Sequence, residues 1–224
     1  MTTPTTDPSD SSATAAPDPL LVTIWEEYGS GAETIGRGVA EKLGLPCHQQ
    51  AFSSEELEGE KAPPDDGATA QTIASRISLA QVFSAMGGAY SGGDGAEYLA
   101  ADQERRALIE DNNATVHGYG TEGGVIVGRN ATKILANRPR TLHVLLTAEA
   151  ESRVAHAAQS AGISAQQAEK RQHHEDTVRA DMSRELYGWD PREPANYDLM
   201  INTGRIPHAA AVEAIVHAIQ QGPP

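Results

Sequence analysis

The sequence predicts an α/β fold in which helices cover both faces of a parallel sheet. Short apolar stretches, of the length of buried strands, alternate along the chain with longer amphipathic stretches that favour helices. A chain of 224 residues has room for one such domain with a small insertion. Ligands of parallel sheets bind at the carboxyl ends of the strands, so the turns at 29–36, 128–130 and 147–153 predict one cleft along one edge.

The N-terminal part of the chain predicts a tail followed by a strand, a helix and a second strand. Residues 1–19 are almost all Thr, Ser, Pro, Asp and Ala, a composition typical of a disordered tail. "LLVTI" at 20–24 has the pattern of a central strand, and residues 33–43 place apolar side chains at helical spacing until Gly44. "LPCHQ" at 45–49 predicts a short second strand.

The remaining elements follow the same alternation. The acidic stretch 53–70 predicts an exposed excursion, and "GGAYSGGDGAEY" at 87–98 is too rich in glycine for regular structure. Helices are predicted at 71–86, 99–112, 148–162, 164–187 and 209–221, and further strands at 123–128, 141–147 and 197–203.

Composition excludes several classes of function. There are 17 Lys and Arg against 31 Asp and Glu, and the formal net charge of −14 argues against binding to nucleic acid or to an anionic membrane surface. The single cysteine, Cys47, excludes internal disulfides and indicates a reducing compartment, where we interpret it as a small apolar side chain. Without a membrane-length apolar run or a secretion signal, we expect a cytoplasmic protein.

The segment "WEEYGSGAETIG" at 25–36 predicts a phosphate-binding loop. Gly29 and Gly31 allow the backbone N–H groups to converge on phosphate oxygens, and the following helix directs the positive end of its dipole toward them. A tight strand-to-helix turn without a ligand is the alternative explanation. The lysine that such loops carry is missing, and two glutamates, Glu26 and Glu27, precede the glycines.

Four segments in one order make a more specific pattern: "EYGSGAETIGRGVAEKLGLP", "GVIVGRNATKIL", "LHVLLTAEAESRV" and "YDLMINTGRI". Together they resemble the cytidylate kinase-like family, a branch of the P-loop nucleoside monophosphate kinases. The resemblance implies a P-loop NTPase fold, a three-layer α/β/α sandwich in a single domain over 20–219. It further implies an acceptor-binding helical insertion at 50–118 and a helical lid at 162–192.

The resemblance implies ATP and Mg²⁺ as cofactors, with the donor phosphates on the loop. The residues that match the phosphate-binding pattern are Gly29, Ser30, Gly31, Ala32 and Thr34, and the threonine in this pattern helps to position Mg²⁺. Ala32 stands where the lysine falls in other P-loops, and this family tends to place a small residue there. Glu26 departs from the family, whose members often carry an arginine at that position.

The resemblance also implies residues for phosphoryl transfer and for the acceptor. Arg129, Arg179 and Arg184 are the candidate catalytic residues, since arginines neutralise the transferring phosphoryl group. The candidates for contact with the acceptor are Gln103, Arg106, Arg129 and Asn130. Structural alternatives remain for each: a salt bridge for Arg129, an exposed polar helix face for Gln103 and Arg106, and a solvated pair of Asp176 with Arg179.

Three functional hypotheses follow. The first is transfer of the ATP γ-phosphoryl group to a nucleoside monophosphate such as CMP, with small-molecule nucleotides as the partners. The second is a nucleotide-binding regulatory protein of the same fold that is catalytically weak or inactive. The third is a kinase for another small acceptor, because the 50–118 insertion is the part least like a cytidylate kinase.

Overall fold

The computed structural model describes residues 17–49, 95–128 and 130–222, and among these it has one sheet of five parallel strands. Their order across the sheet is β2-β3-β1-β4-β5, so β1 lies at the centre. Val22 of β1 is paired with Val125 of β3 on one side and with Leu142 of β4 on the other. The strands are β1 (Leu21–Glu26), β2 (Cys47–Gln49), β3 (Gly124–Val127), β4 (Thr141–Thr147) and β5 (Leu199–Asn202).

Helices connect consecutive strands and cover both faces of the sheet. They are α1 (Ala32–Leu43), α2 (Gly95–Glu122), α3 (Ala131–Ile134), α4 (Ala150–Ala161), α5 (Ala165–Tyr187) and α6 (His208–Gln220), with a 3-10 turn at Pro194–Asn196. The predicted α/β/α sandwich with the P-loop type of parallel sheet is confirmed by this arrangement.

Alternating side chains of the strands divide the core into two layers. One layer packs Val22 and Ile24 of β1 against Ile35 and Val39 of α1 and against α6. The other layer packs Leu21 and Ile126 against Val116 of α2 and against α3. Because successive side chains of a strand point to opposite faces, β1 contributes to both layers and is buried from Leu21 to Trp25.

Local sequence signals set the ends of the helices that matter for the site. Gly44 ends α1 with φ of 65°, and its N–H bonds back to the last turn. Ser164 begins α5 with a capping box, in which its side chain and that of Gln167 satisfy each other's backbone N–H groups. Gly188 ends α5 with φ of 64°. The long polar helix is therefore held at a defined length by its termini.

The element boundaries differ from the sequence predictions in a few places. Residues 95–98, predicted to be irregular, begin α2, and α2 runs without a break past residue 118 to Glu122. The four-residue α3 was not predicted. The carbonyl oxygens of Asp18 and Pro19 accept hydrogen bonds from the arginines at 140 and 138, so residues just before Leu20 already contact the domain. The predictions for residues 1–16, 50–94 and Arg129 lie outside the described residues.

Candidate phosphate-binding site

The loop between β1 and α1 requires glycine at two positions. Gly29 and Gly31 both have φ of 86°, in the left-handed region. A Cβ on Gly29 would lie 2.5 Å from the backbone oxygen of Arg153, and one on Gly31 would lie 2.4 Å from Cε1 of His208. Conformation and lack of space therefore both explain the glycines of the predicted phosphate loop.

The N-cap residue of α1 supplies no side-chain acceptor to the backbone donors of the first turn. Gly31 is the N-cap residue, and the first intrahelical bond runs from the N–H of Ile35 to its carbonyl oxygen, at 3.0 Å. The N–H groups of Ala32 and Thr34 consequently have no acceptor within the helix. Thr34 itself is exposed, whereas Ser30 is buried and its hydroxyl has no hydrogen-bond partner among the described residues. Such a helix start attracts an anion.

An anion is already present there, because Glu26 places its carboxylate at this helix start. Its Oε2 accepts a hydrogen bond of 2.9 Å from the N–H of Ala32. Its Oε1 lies 3.4 Å from Nη1 of Arg179, in the predicted lid helix α5. The residue that departs from the family pattern thus joins the loop to the lid.

Arg179 is held between two carboxylates and an aromatic ring. It is 6% exposed, and its Nε donates to Oε2 of Glu175 at 2.9 Å. Its guanidinium carbon lies 5.3 Å from the centre of the Tyr28 ring in the loop. Burial alone would lower the pKa of Arg179, but the carboxylates of Glu175 and Glu26 outweigh burial and raise it. A solvated pair of Asp176 with Arg179, the alternative considered from the sequence, is not the arrangement of the described chain.

Asp176 makes a second connection between lid helix and loop. Its Oδ1 accepts from the N–H of Tyr28 at 2.9 Å, and its Oδ2 accepts from Nη1 of Arg153 at 2.7 Å. Arg153, in the first turns of α4, also donates to the carbonyl oxygens of Tyr28 and Ala148, both at 3.0 Å. One buried arginine therefore fixes the loop, the end of β4 and the lid helix together.

Glu27, the second glutamate before the glycines, ties the loop to β4. Its N–H donates to the carbonyl oxygen of Leu146 at 3.1 Å, which continues the strand pairing by one residue. Its carboxylate accepts a hydrogen bond from the Thr147 hydroxyl and lies 3.9 Å from Nε of Arg153. The two glutamates therefore have different partners: Glu26 faces the helix start and Glu27 faces the sheet.

Two histidines beside Gly31 complete the surroundings of the loop. The rings of His156 and His208 meet edge to face, with centroids 4.8 Å apart. Nδ1 of His156 is buried with no hydrogen-bond partner among the described residues. Burial and the neighbouring His156 lower the pKa of His208, although Glu26 acts in the opposite direction. The two rings therefore line one side of the loop, beside Gly31.

Sequence reasoning missed Arg153, His156 and His208. Arg153 lies in "LTAEAESRV", one of the four family segments, and this is the signal that could have identified it. His156 follows it by three residues, which places both on one face of α4. His208 is far away in the sequence, and only the fold brings it to Gly31.

Arg184, the other lid arginine predicted from the resemblance, lies away from this network. Its guanidinium pairs with Asp190 at 2.6 Å and with Asp181 at 3.3 Å, and its side chain is 42% exposed. Partial burial would raise the pKa of Asp190, but hydrogen bonds from Arg192 and Arg184 hold it well below its usual range. Of the two arginines predicted for the lid, Arg179 is the one that contacts the loop.

Three of the four residues predicted to bind the acceptor lie within the described chain, on α2 and at the start of α3. Asn130 is buried at the start of α3, where its Oδ1 accepts from Nε1 of Trp189 at 3.1 Å. Asn130 thus anchors the chain that follows the lid helix. Gln103 and Arg106 lie exposed on α2, and Arg129 lies outside the described residues.

The described residues lack two kinds of feature. In 17–49, 95–128 and 130–222, no group of three or more His, Cys, Asp or Glu side chains is arranged to hold a metal ion. No helix within these same ranges has the length and apolar character needed to cross a membrane. Thr34, an exposed residue in the first turn of α1, is the residue for which the resemblance implies a contact to Mg²⁺.

Similar proteins include one curated relative and several solved structures. The chain is 32% identical over 121 residues to a uronate isomerase of Corynebacterium glutamicum, a match that covers 54% of this chain and 23% of the relative's length. The chain thus spans about a quarter of that protein.

Two of the solved structures illustrate the likeness in fold. A protein from Eubacterium ventriosum ATCC 27560, described as uncharacterized, is 18% identical with a TM-score of 0.60, covering 90% of this chain and 98% of its own. A shikimate kinase from Acinetobacter baumannii is 14% identical with a TM-score of 0.44, covering 90% and 94%. At these identities the first structure supports the fold alone.

The family assignment rests on a match to a family model. The model of the cytidylate kinase-like family matches residues 21–205, which include the loop, β3, β4 and the whole lid helix. This range contains the four segments that carry the resemblance in the sequence, apart from Ile206 at the end of the last one. The chain belongs to the cytidylate kinase-like family.

Proposed function

We propose that this protein is a kinase that transfers the γ-phosphoryl group of ATP to a small acceptor, with a nucleoside monophosphate such as CMP as the first candidate. The observation that carries the proposal is the contact between loop and lid: Arg179 of α5 lies 3.4 Å from a carboxylate oxygen at the start of α1. A lid arginine at this place is positioned to neutralise charge on a phosphoryl group bound by the loop.

Each part of the site has a role in this proposal. The N–H groups in the first turn of α1 bind phosphate oxygens, and Arg179 adds positive charge from the opposite side. Thr34, an exposed residue in the first turn of α1, would hold the Mg²⁺ that accompanies the nucleotide, and the metal would supply positive charge at the phosphates. Arg153 and Asp176 keep loop and lid in register, which helps to exclude water from the phosphates.

The acceptor side of the site remains a proposal from the resemblance. We assign Arg129 to the acceptor phosphate, with Gln103 and Arg106 on the same side, and Arg184 to a closed state of the lid. Asn130 supports this side indirectly, since it holds Trp189 in place. We further propose a cytoplasmic location, because the single cysteine, Cys47, fits a reducing compartment. The net charge of −14 supports the absence of a nucleic-acid or membrane partner.

A second acceptor class is favoured by one comparison. A protein named uronate isomerase contains a stretch similar to 54% of this chain. A uronate, which offers both a carboxylate and hydroxyl groups, is therefore the alternative acceptor that we propose to test.

The regulatory alternative is favoured by Glu26. Its carboxylate contacts both a backbone donor of the loop and the arginine of the lid, two groups that a phosphate would otherwise use.

Calorimetry followed by a turnover assay tests these proposals. Purified protein is titrated with Mg·ATP, and ADP formation is then measured with each nucleoside monophosphate and with glucuronate and galacturonate. We expect Mg·ATP binding and ADP formation that depends on one acceptor. ADP formation with a uronate alone would replace the nucleotide acceptor, and binding without turnover would favour the regulatory protein. Absence of Mg·ATP binding would contradict the kinase proposal.

A matched pair of variants assigns the threonine. Thr34→Ser keeps the hydroxyl and Thr34→Val removes it while keeping the shape of the side chain. In the proposal, Thr34→Val raises the Mg²⁺ concentration needed for half-maximal turnover and Thr34→Ser does not. Equal Mg²⁺ dependence in the two variants would remove Thr34 from the site.

A further inference from the structure

Glu26 satisfies two groups that a bound phosphate chain would otherwise occupy. Its carboxylate accepts 2.9 Å from the N–H of Ala32, the first residue of α1, and lies 3.4 Å from Nη1 of Arg179. The side chain of Glu26 is 19% exposed and that of Arg179 is 7% exposed. This carboxylate is therefore enclosed at the helix start, in contrast to a glutamate on an exposed helix face.

In this contact the Glu26 carboxylate occupies a place suited to an anion, between the N–H of Ala32 and the guanidinium of Arg179. A helix start and an arginine together bind phosphate oxygens and carboxylate oxygens by the same charge-assisted hydrogen bonds. No lysine is present at position 32 to supply a further cation, since that residue is a buried alanine. Phosphate bound at this place would therefore use the two groups that Glu26 already contacts, together with the other N–H groups of the first turn.

Arg179 can exchange this partner without losing its other one. Nε of Arg179 donates to Glu175 at 2.9 Å, whereas Nη1 is the atom that faces Glu26. A phosphate oxygen in place of the Glu26 carboxylate would leave the bond to Glu175 intact. The second connection between loop and lid, from Asp176 to the N–H of Tyr28 at 2.9 Å, does not involve Glu26 either.

We propose that Glu26 is a specificity-determining residue that competes, from within the chain, with the phosphate groups of the ligand. The proposal rests on the proposed function in so far as the loop receives the phosphates of the donor. A tethered carboxylate competes at a high effective concentration, so a single phosphate with few contacts does not displace it. A polyphosphate chain, which reaches several donors of α1 and Arg179 at once, does. The site therefore selects polyphosphate ligands over orthophosphate.

Substitution of Glu26 by an isosteric neutral residue tests the competition. Glu26→Gln keeps an oxygen for the N–H of Ala32 and removes the charge. We expect this variant to bind inorganic tripolyphosphate roughly tenfold more tightly than the wild type by calorimetry, the ratio that corresponds to about 1.4 kcal/mol for a lost charged competitor. We also expect orthophosphate binding to become measurable.

Glu33→Gln is the matched control for charge. Glu33 lies in the same turn of α1, but its side chain is 66% exposed and pairs with Arg37. Removing its charge should change tripolyphosphate affinity less than about twofold, because an exposed charge is screened by solvent and salt. An equal gain in both variants would show that general electrostatics, rather than displacement of Glu26, sets the affinity, and would overturn the proposal.

The partner exchange of Arg179 is tested in the Glu26→Gln background. Adding Arg179→Lys keeps a cation for Glu175 but removes the second nitrogen that faces Glu26. This change should remove most of the gain in tripolyphosphate affinity. An undiminished gain would overturn the exchange. Likewise, unchanged or absent tripolyphosphate binding by Glu26→Gln would overturn the competition.

These outcomes are independent of phosphoryl transfer. A protein that transfers no phosphate, but gains tripolyphosphate affinity on Glu26→Gln, would contradict the proposed function and support the competition. A protein with measurable turnover but no gain in tripolyphosphate affinity on Glu26→Gln would support the proposed function and contradict the competition.

Discussion

Arg153→Met should lower the free energy of unfolding by about 3 kcal/mol, because Arg153 joins three segments around the loop. The buried guanidinium donates to two carbonyl oxygens, of Ala148 and Tyr28, and to the carboxylate of Asp176 at 2.7 Å. Methionine retains the apolar stem of the side chain but none of these hydrogen bonds.

The magnitude follows from what remains after the substitution. Removing one partner of a buried ion pair costs about 3–5 kcal/mol, since the other charge is left without compensation. The side chain of Asp176 is 22% exposed and keeps the N–H of Tyr28 and the amide of Gln172 as donors. We therefore expect the lower end of that range, which corresponds to a fall in melting temperature of about 6–12 °C for a domain of this size.

Urea unfolding at neutral pH measures this change, and Arg37→Met is the control. Arg37 also pairs with a glutamate, but its side chain is 66% exposed. Its removal should cost no more than about 0.5 kcal/mol. The urea midpoint of Arg153→Met should fall with an unchanged slope. A loss below about 1 kcal/mol, or an equal loss in Arg37→Met, would refute the view that Arg153 connects loop and lid.

Three further predictions address the loop, the region after the lid and the core. Gly29→Ala should lower the free energy of unfolding by more than about 3 kcal/mol, because the new Cβ would lie 2.5 Å from a backbone oxygen of α4. The Cβ of Gly44→Ala would have no atom within 4 Å, so this control should cost only about 1–2 kcal/mol of backbone strain. Thermal unfolding compares the two, and similar losses would contradict the steric explanation. Asn130→Ala should lower the free energy of unfolding by about 1–3 kcal/mol, because it leaves the indole N–H of Trp189 unpaired. Asn130→Asp keeps an acceptor for this N–H and should cost less. Calorimetric melting that ranks the two variants in the opposite order would contradict this explanation. Burial lowers the pKa of His143 below 6.5, although a nearby aspartate opposes this, so its contribution to stability is fully present above about pH 6.5 and is lost as the pH falls. His143→Gln should therefore flatten the decrease in unfolding free energy between pH 7.5 and pH 5, and an unchanged slope in urea unfolding would count against it.

Much of the fold could be predicted from periodicity and glycine placement. β4 has the predicted bounds, Thr141–Thr147, and α1 and β1 differ from the prediction by at most two residues at either end. These elements have a strong local signal, because an apolar run or a stripe at helical spacing is fully encoded within a short segment. The start of α2 at Gly95 was missed, since glycine composition predicts a loop there.

The connections within the site could not be predicted in the same way. Glu26 looked like an isolated departure from the family pattern, and its partner Arg179 lies 153 residues away in the sequence. Spacing within a single sequence carries no information about such a pair. The structural role of Arg153 could not be predicted for the same reason. This role depends on hydrogen bonds to two carbonyl oxygens that belong to other parts of the chain. The assignments of Arg129, Arg184, Gln103 and Arg106 stay predictions from the resemblance.

A crystal structure with Mg²⁺ and a non-hydrolysable ATP analogue tests the central claim most directly, that loop and lid form one phosphate site which Glu26 occupies in the absence of ligand. We predict phosphate oxygens within hydrogen-bond distance of the N–H of Ala32 and of the guanidinium of Arg179, with the Glu26 carboxylate displaced from both. A structure in which Glu26 still accepts from Ala32 while the phosphates bind elsewhere would contradict the claim.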